Sequence, residues 1–511
     1  MTEGKTALLS LSALQLSERL RKKEIKVSEA LDCVFAAIDE REKDLNCYIT
    51  IDREGACRQA KKVQERIDRG LDVGVLTGVP VAVKDNICTK GLRTTCASRM
   101  LEDFIPPYDA TVVEKLRAEG CIIIGKTNMD EFAFGQSTET SYFGRTKNPL
   151  DEKRSPGGSS GGSAAAVSAC EAFIALGSDT GGSVRNPAAC CGIMGIKPTY
   201  GRVSRYGLVA YASSMDQIGV LAKNTYDAAA MLSVISGYDR RDSTSAENSD
   251  FGMRELLGLN SFMKGGPGNE GSPDRNELRS KTGILKSNII SGLRIGIPED
   301  FMDKGISESV KNAVLNAAEA LKECGADITF FRIGYTEYLT AAYYLIADAE
   351  CSSNLARFDG IRYGYRSKAP CDGDYNKLYA ISRSEGFGSE VKRRIMAGCF
   401  VLSEGYYDEY FNRAQKVRTL IKDSYDKAFR EYDLILMPAA ASCAPYACLN
   451  EDPVTAYDND IFTVSANLAG LPAMSIPFGT DESGLPVSVQ LIADRFREDV
   501  IMQTAVILEG V

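Results

Sequence analysis

Short runs of apolar and β-branched residues alternate with helical stretches along this chain, and that alternation constrains the fold more than any other feature. The runs VPVAV before Lys84, CIII from 121, FIALG from 173, LRIGIP from 293, ITFF from 328, LILMP from 434 and VSVQLI from 487 have strand length and little polar alternation. Such runs suit strands covered on both faces. Between them, Val310, Val314, Ala317 and Leu321 give Ser307 to Cys324 one apolar face. Upstream, Leu31, Val34, Phe35 and Ile38 follow a candidate serine cap at Ser28, and Ala60, Val63 and Ile67 continue the period, so the first seventy residues read as helices. Thr111 to Glu119 reads as a capping-box helix closed by Gly120. The expectation is an α/β fold with a covered, largely parallel or mixed sheet.

Composition narrows the chemistry. The chain has 511 residues, 44% of them hydrophobic, enough for a substantial core. Its formal net charge of -9 argues against a wide nucleic-acid-gripping face, so a nucleic-acid role requires a partner. The 15 cysteines form no CxxC pair or regular framework, which suits a reducing cytoplasm. No signal-peptide pattern and no membrane-spanning apolar run stand in the sequence, so a cytoplasmic protein without a membrane partner is expected. Residues 258–285 break the pattern with glycine, proline and small polar residues, and read as an exposed insertion. There is no histidine, which removes the commonest general base and zinc ligand and every Ser-His arrangement together.

One motif misleads. GCIIIGKT, from Gly120, matches the phosphate-loop expression letter for letter. A phosphate loop is a flexible turn after a strand, whereas here a helix comes first and β-branched residues fill the loop positions. Nucleotide binding is therefore not expected from it. The block SPGGSSGGSAAAVSA, from Ser155, has linker composition at its start, but it opens a strong helix former and is followed by FIALGSDTGGSVRNPA. Serine hydroxyls there need a base, and without histidine the candidate is a lysine kept neutral by apolar burial. Lys84, behind Val81-Ala82-Val83, fits, although a strand-end lysine is more often simply solvated. Glycines beside Ser183 let successive backbone N–H groups converge as an oxyanion requires.

Lys84 in GVPVAVKDN, Ser159 in SPGGSSGGSAA, Ser183 in GSDTGGSVRNPA and the run KPTYGRVSRYGL from Lys197 resemble, in this order, the blocks of the amidase signature family. The resemblance narrows the fold to a central mixed β-sheet covered by helices on both faces and implies one amidase domain over 1–511, with N-terminal helices to 70, a signature core over 71–240 and a C-terminal part from 290 bearing the substrate pocket. It implies Ser183 as nucleophile, Ser159 as proton relay, Lys84 as neutral base, and an oxyanion hole from the N–H groups of Thr180, Gly181, Gly182 and Ser183.

RFDGIRYGYRS, SRSEGFGSEVKRRI, GYYDEYFNRAQKVRTLI and DIFTVSANLAGLPAMSIPFG further resemble the family's glutaminase branch, which serves tRNA-dependent amidotransferases. That likeness implies glutamine as substrate, with Arg393 (Arg394 as the alternative) for its carboxylate, Asp460 for its ammonium and Tyr343 lining the pocket. It implies a B-type partner subunit that holds tRNA and uses ATP and Mg, a C-type subunit, and neither metal nor cofactor in this chain. The sequence departs from the family's habit at LMPAAAS, at Ser488 and in the long insertion. A free-standing amidase of the same family, or a non-catalytic scaffold, are the other readings.

Overall fold

The computed structural model describes residues 7–71, 73–247, 290–303, 305–447 and 458–511. The expected insertion at 258–285 lies outside them. Eleven strands are described: β1 Tyr48–Ile51, β2 Pro80–Lys84, β3 Ile122–Thr127, β4 Ile174–Asp179, β5 Met194–Lys197, β6 Gln217–Ala222, β7 Arg294–Pro298, β8 Asp327–Phe331, β9 Leu434–Pro438, β10 Ala473–Thr480 and β11 Pro486–Ala493. They form one sheet in the order β1-β3-β2-β4-β6-β5-β10-β11-β9-β7-β8. The pairs β2–β3, β2–β4, β7–β8 and β7–β9 are parallel and the rest antiparallel, so the sheet is mixed, as expected.

Both faces are covered, and strand residues divide between two cores by their period of two. Leu434 and Leu436 of β9 join a core with the helices Val27–Leu45 and Glu308–Glu323, while Ile435 and Met437 join a second core with the helices Leu339–Leu355 and Arg413–Glu431. A strand without a wet face carries no polar alternation, which is why PVAVK and LILMP are buried throughout.

Two helix starts differ from expectation. The first long helix begins at Val27 with Lys26 at its cap position, and the Glu29 carboxylate accepts the Lys26 N–H at 2.7 Å, so Ser28 is no cap. The helix Thr111–Glu119 is preceded by Ala110 and has no side-chain cap, because the Thr111 hydroxyl is taken by Asp239. Its end is as read, with Gly120 left-handed at φ +88°. The phosphate-loop lookalike is this glycine followed by β3, extended and buried.

Candidate active site

Because β2 and β4 run parallel, their carboxyl ends lie side by side, the usual place for a site in such sheets. Lys84 ends β2, and Ser178 and Asp179 end β4. The glycine-serine segment 157–160 crosses these ends before the helix Gly161–Ser168, and its Gly158–Ser159 peptide is cis. The Ser160 N–H donates to the Ser183 carbonyl at 3.1 Å, joining this segment to the turn 180–184.

Lys84 is fully buried, and among the described residues its amine meets only hydroxyls and a carbonyl: Ser159 Oγ at 2.7 Å, Ser160 Oγ at 2.8 Å, Ser178 Oγ at 3.0 Å and Ser178 O at 3.4 Å. Burial lowers its pKa from 10.5 to about 7, against the opposing pull of Asp130, Asp179 and Asp216. A neutral amine has two N–H donors and one lone pair. The Ser160 hydroxyl donates to Ser178 O at 3.2 Å and Ser178 Oγ accepts from Asn86 Nδ2 at 2.9 Å, so both are suited to accept the amine's two N–H bonds. The lone pair is then left for the Ser159 proton.

Asp179 builds the turn that carries Ser183. Its carboxylate accepts from Gly182 N at 2.8 Å, Val184 N at 3.1 Å, Arg185 Nε at 3.1 Å, Arg185 Nη2 at 3.0 Å and Asn467 Nδ2 at 2.9 Å. Burial pushes this carboxyl up, but the Arg185 charge and hydrogen bonds outweigh it and hold it well below the usual range. The turn also explains two glycines. A Cβ on Gly182, at φ +133°, would lie 2.3 Å from Thr463 Oγ1, and one on Gly181 would lie 2.5 Å from the Tyr343 ring and hydroxyl.

The expected oxyanion donors need one correction. The Gly182 N–H is committed to Asp179, whereas those of Gly181 and Ser183 have no protein acceptor among the described residues. Thr180 lies at the same turn, its hydroxyl donating to Asp216 at 2.7 Å. Among the described residues the Ser183 hydroxyl has no hydrogen-bond partner either, and Ser183 lines a cavity with Gly158, Gly181, Gly182 and Asn186.

The same cavity is also lined by Tyr211, Tyr343, Tyr344, Arg394 and Asp460. Arg393, the preferred arginine from sequence, is not there. It points to the exposed side of the helix Ser389–Val401 and pairs with Glu390, whereas Arg394 is buried. Arg394 donates to Glu390 Oε1 at 2.7 Å, Tyr211 Oη at 3.0 Å and, at 3.5 Å, Asp348 Oδ1, with its guanidinium 4.5 Å above the Tyr344 ring. Asp460 accepts from Tyr344 Oη, and burial raises it to about 7 despite that bond and the Arg394 charge. Sequence reasoning missed Ser160, Ser178 and Asn86 around the lysine, and Tyr211, Tyr344, Asp348 and Glu390 around the arginine.

The profile of the Amidase family matches residues 29–265 and 267–502. The A-type subunit of the glutamyl-tRNA(Gln) amidotransferase of Agathobacter rectalis is 50% identical over 501 residues, covering 98% of this chain and 93% of its own. That of Lachnoclostridium phytofermentans is 51% identical over 513 residues, with coverage of 98% and 97%. The crystal structure of the Thermotoga maritima counterpart superposes with a TM-score of 0.73 at 38% identity, covering 98% of this chain and 94% of that one. With the family profile spanning nearly the whole sequence and relatives at half identity end to end, the chain belongs to the amidase family.

Proposed function

We propose that the chain is the glutaminase subunit of a tRNA-dependent amidotransferase. The observation that carries this reading is a buried cation and a buried carboxyl, Arg394 and Asp460, lining the same cavity as Ser183. An amino acid presents a carboxylate and an ammonium, and this pair matches both; a simple amide uses neither. The near-full-length likeness to the A-type chains of amidotransferases supports the same substrate. The cavity as it stands measures about 20 Å³, room for one water, so glutamine entry requires lining side chains to swing outward.

In the proposed reaction the Ser183 oxygen attacks the side-chain carboxamide carbon of glutamine as its proton passes to Ser159 and the Ser159 proton to Lys84. The negative oxygen formed lies against the N–H groups of Gly181 and Ser183. The proton returns through Ser159 to the departing nitrogen, the C–N bond breaks, and ammonia leaves a glutamyl ester on Ser183. Water, activated by the same relay, releases glutamate. This cycle consumes no nucleotide and needs no metal. ATP and Mg belong to a B-type partner that activates glutamate on tRNA(Gln), or aspartate on tRNA(Asn), and a C-type subunit completes the complex. Among the described residues no helix is long and apolar enough to cross a membrane.

The direct test is reconstitution with B-type and C-type subunits. Glutamine-dependent formation of Gln-tRNA(Gln), with hydrolysis accelerated by tRNA and ATP, is the expected result. Vigorous unaccompanied turnover of simple amides, with no gain from partners, would instead make it a free-standing amidase.

The pH profile follows from the two groups near 7. Lys84 works neutral, so kcat should fall about tenfold per pH unit below about 7 as the amine takes a proton. Asp460 holds an ammonium only as a carboxylate, so KM should rise as pH falls through about 7. Both losses lie on the acid side, and Asp460→Asn separates them. It should weaken binding, flatten the KM limb and leave the kcat limb; a flattened kcat limb would refute the assignment to Lys84.

A further inference from the structure

Outside the catalytic cavity, one group of ionisable side chains has no role in the reaction. Glu42 lies near the end of the helix Val27–Leu45, Cys47 in the turn into β1, and Glu171 in the turn between the helix Gly161–Ser168 and β4. One ligand atom from each lies within 4.8 Å of the other two. Cys47 and Glu171 are 0% exposed, and Glu42 is half-buried.

Glu171 is the anomaly. Both of its carboxylate oxygens are buried, and among the described residues no N–H or hydroxyl donor reaches them; only the Cys47 thiol and the Glu42 carboxyl do. A desolvated carboxylate without a donor is among the costliest arrangements in a protein interior. The side chains that confront it are a thiol and a second carboxylate, which compete with it for protons. Glu42 is fixed in place, one oxygen accepting the Cys47 N–H at 2.9 Å and the other the Tyr48 N–H at 2.8 Å, and each oxygen keeps a second lone pair. The Tyr48 hydroxyl donates to the Glu171 carbonyl at 2.9 Å, holding that turn against β1.

We propose that Glu42, Cys47 and Glu171 form a structural zinc site. A thiolate with two carboxylates suits a borderline cation, whereas magnesium and calcium prefer oxygen shells alone. Bonds of about 2.0–2.3 Å bring tetrahedral donors to roughly 3.5 Å apart, a contraction that small side-chain rotations supply. Zinc displaces the thiol proton and the carboxyl proton to solvent. Three negative ligands on a doubly positive ion leave one negative charge, and the Arg41 guanidinium, whose charge acts on Glu171, opposes it. The half-buried Glu42 side admits the ion and a fourth, water ligand. The site would fasten the helix Val27–Leu45 and β1 to the turn that follows the helix Gly161–Ser168.

The test uses the full-length chain, with any subunits that co-purify, stripped by chelator and re-equilibrated with zinc or cobalt(II). Exposed Cys57 and Cys399 are first replaced by serine to remove surface thiol binding. The expected results are retention of about one zinc per chain, a higher Tm, and a thiolate-to-cobalt charge-transfer absorption. Cys47→Ser should lose the cobalt absorption, and Glu171→Gln should weaken zinc binding at least about tenfold. If either variant fails to fold, proton release on adding zinc to the parent protein decides, with a release of about two per ion expected near neutral pH. No retained zinc, no proton release, or binding unaltered by both substitutions would overturn the proposal.

Discussion

Lys84→Ala is expected to cut glutamine hydrolysis by roughly 10⁴-fold while ammonia-dependent amidation in the assembled complex stays within about twofold of the parent. The size of the first effect follows from the isolation of the amine. With no histidine in the chain, and with Ser159, Ser160 and Ser178 as its side-chain partners, no other group in contact can take the Ser159 proton. The second follows from the division of labour, since free ammonia bypasses the half-reaction performed here. Lys84→Ala also strands buried hydroxyls, costing about 1–3 kcal/mol of stability. Lys84→Met, which keeps the volume, is therefore the companion variant and should be equally inactive. Lys84→Arg should fail too, because a guanidinium stays charged and offers no lone pair. Measured side by side with glutamine and with ammonium chloride, loss of both activities in the methionine variant would point to a failed fold, and retained hydrolysis would remove the lysine from the mechanism.

The parts of the molecule that could be read from sequence are those governed by local pattern. Strands β2, β3, β4, β7, β9 and β11 announce themselves because they are largely buried on both faces and their residues are mostly apolar. Strand β8 is the exception in burial, an edge strand with half-exposed Phe330. Lys84, Ser159 and Ser183 are picked out by their likeness to the amidase signature blocks, the absent histidine alone suggesting only that a lysine serve as base. The partners around them are not. Ser178 reaches Lys84 only because β2 and β4 are parallel neighbours, and nothing local to IALGSD says so. Helix starts misled for a related reason: the Thr111 hydroxyl caps nothing because Asp239, distant in sequence, takes it. The commitment of the Gly182 N–H to Asp179 is likewise a property of the folded turn.

Arg394→Ala is expected to raise the KM for glutamine about 10²- to 10³-fold, whereas Arg393→Ala changes it by less than about twofold. The fold separates these neighbours. In SEVKRRIMAGCFV the buried positions are Val391, Arg394, Gly398 and Val401, a helical face that includes the second arginine and excludes the first, although apolar Met396 and Phe400 lie off it and exposed. Family likeness points to the pair; the packed helix selects within it. Arg394 is held by Glu390, Tyr211 and Asp348, so its guanidinium is oriented before substrate arrives, and removing it strips buried Asp348 of this cation as well as the cavity of its positive charge. The variant is therefore also destabilised, and the kinetic readout has to be independent of that. A primary amide lacking the α-carboxylate supplies it: its weak hydrolysis should be the same in the parent and Arg394→Ala proteins, because it never engages the arginine. If turnover of that amide collapses in step with glutamine, the arginine supports the fold of the site and not the recognition of an amino acid, and the cavity's charge pair loses its meaning as a glutamine filter.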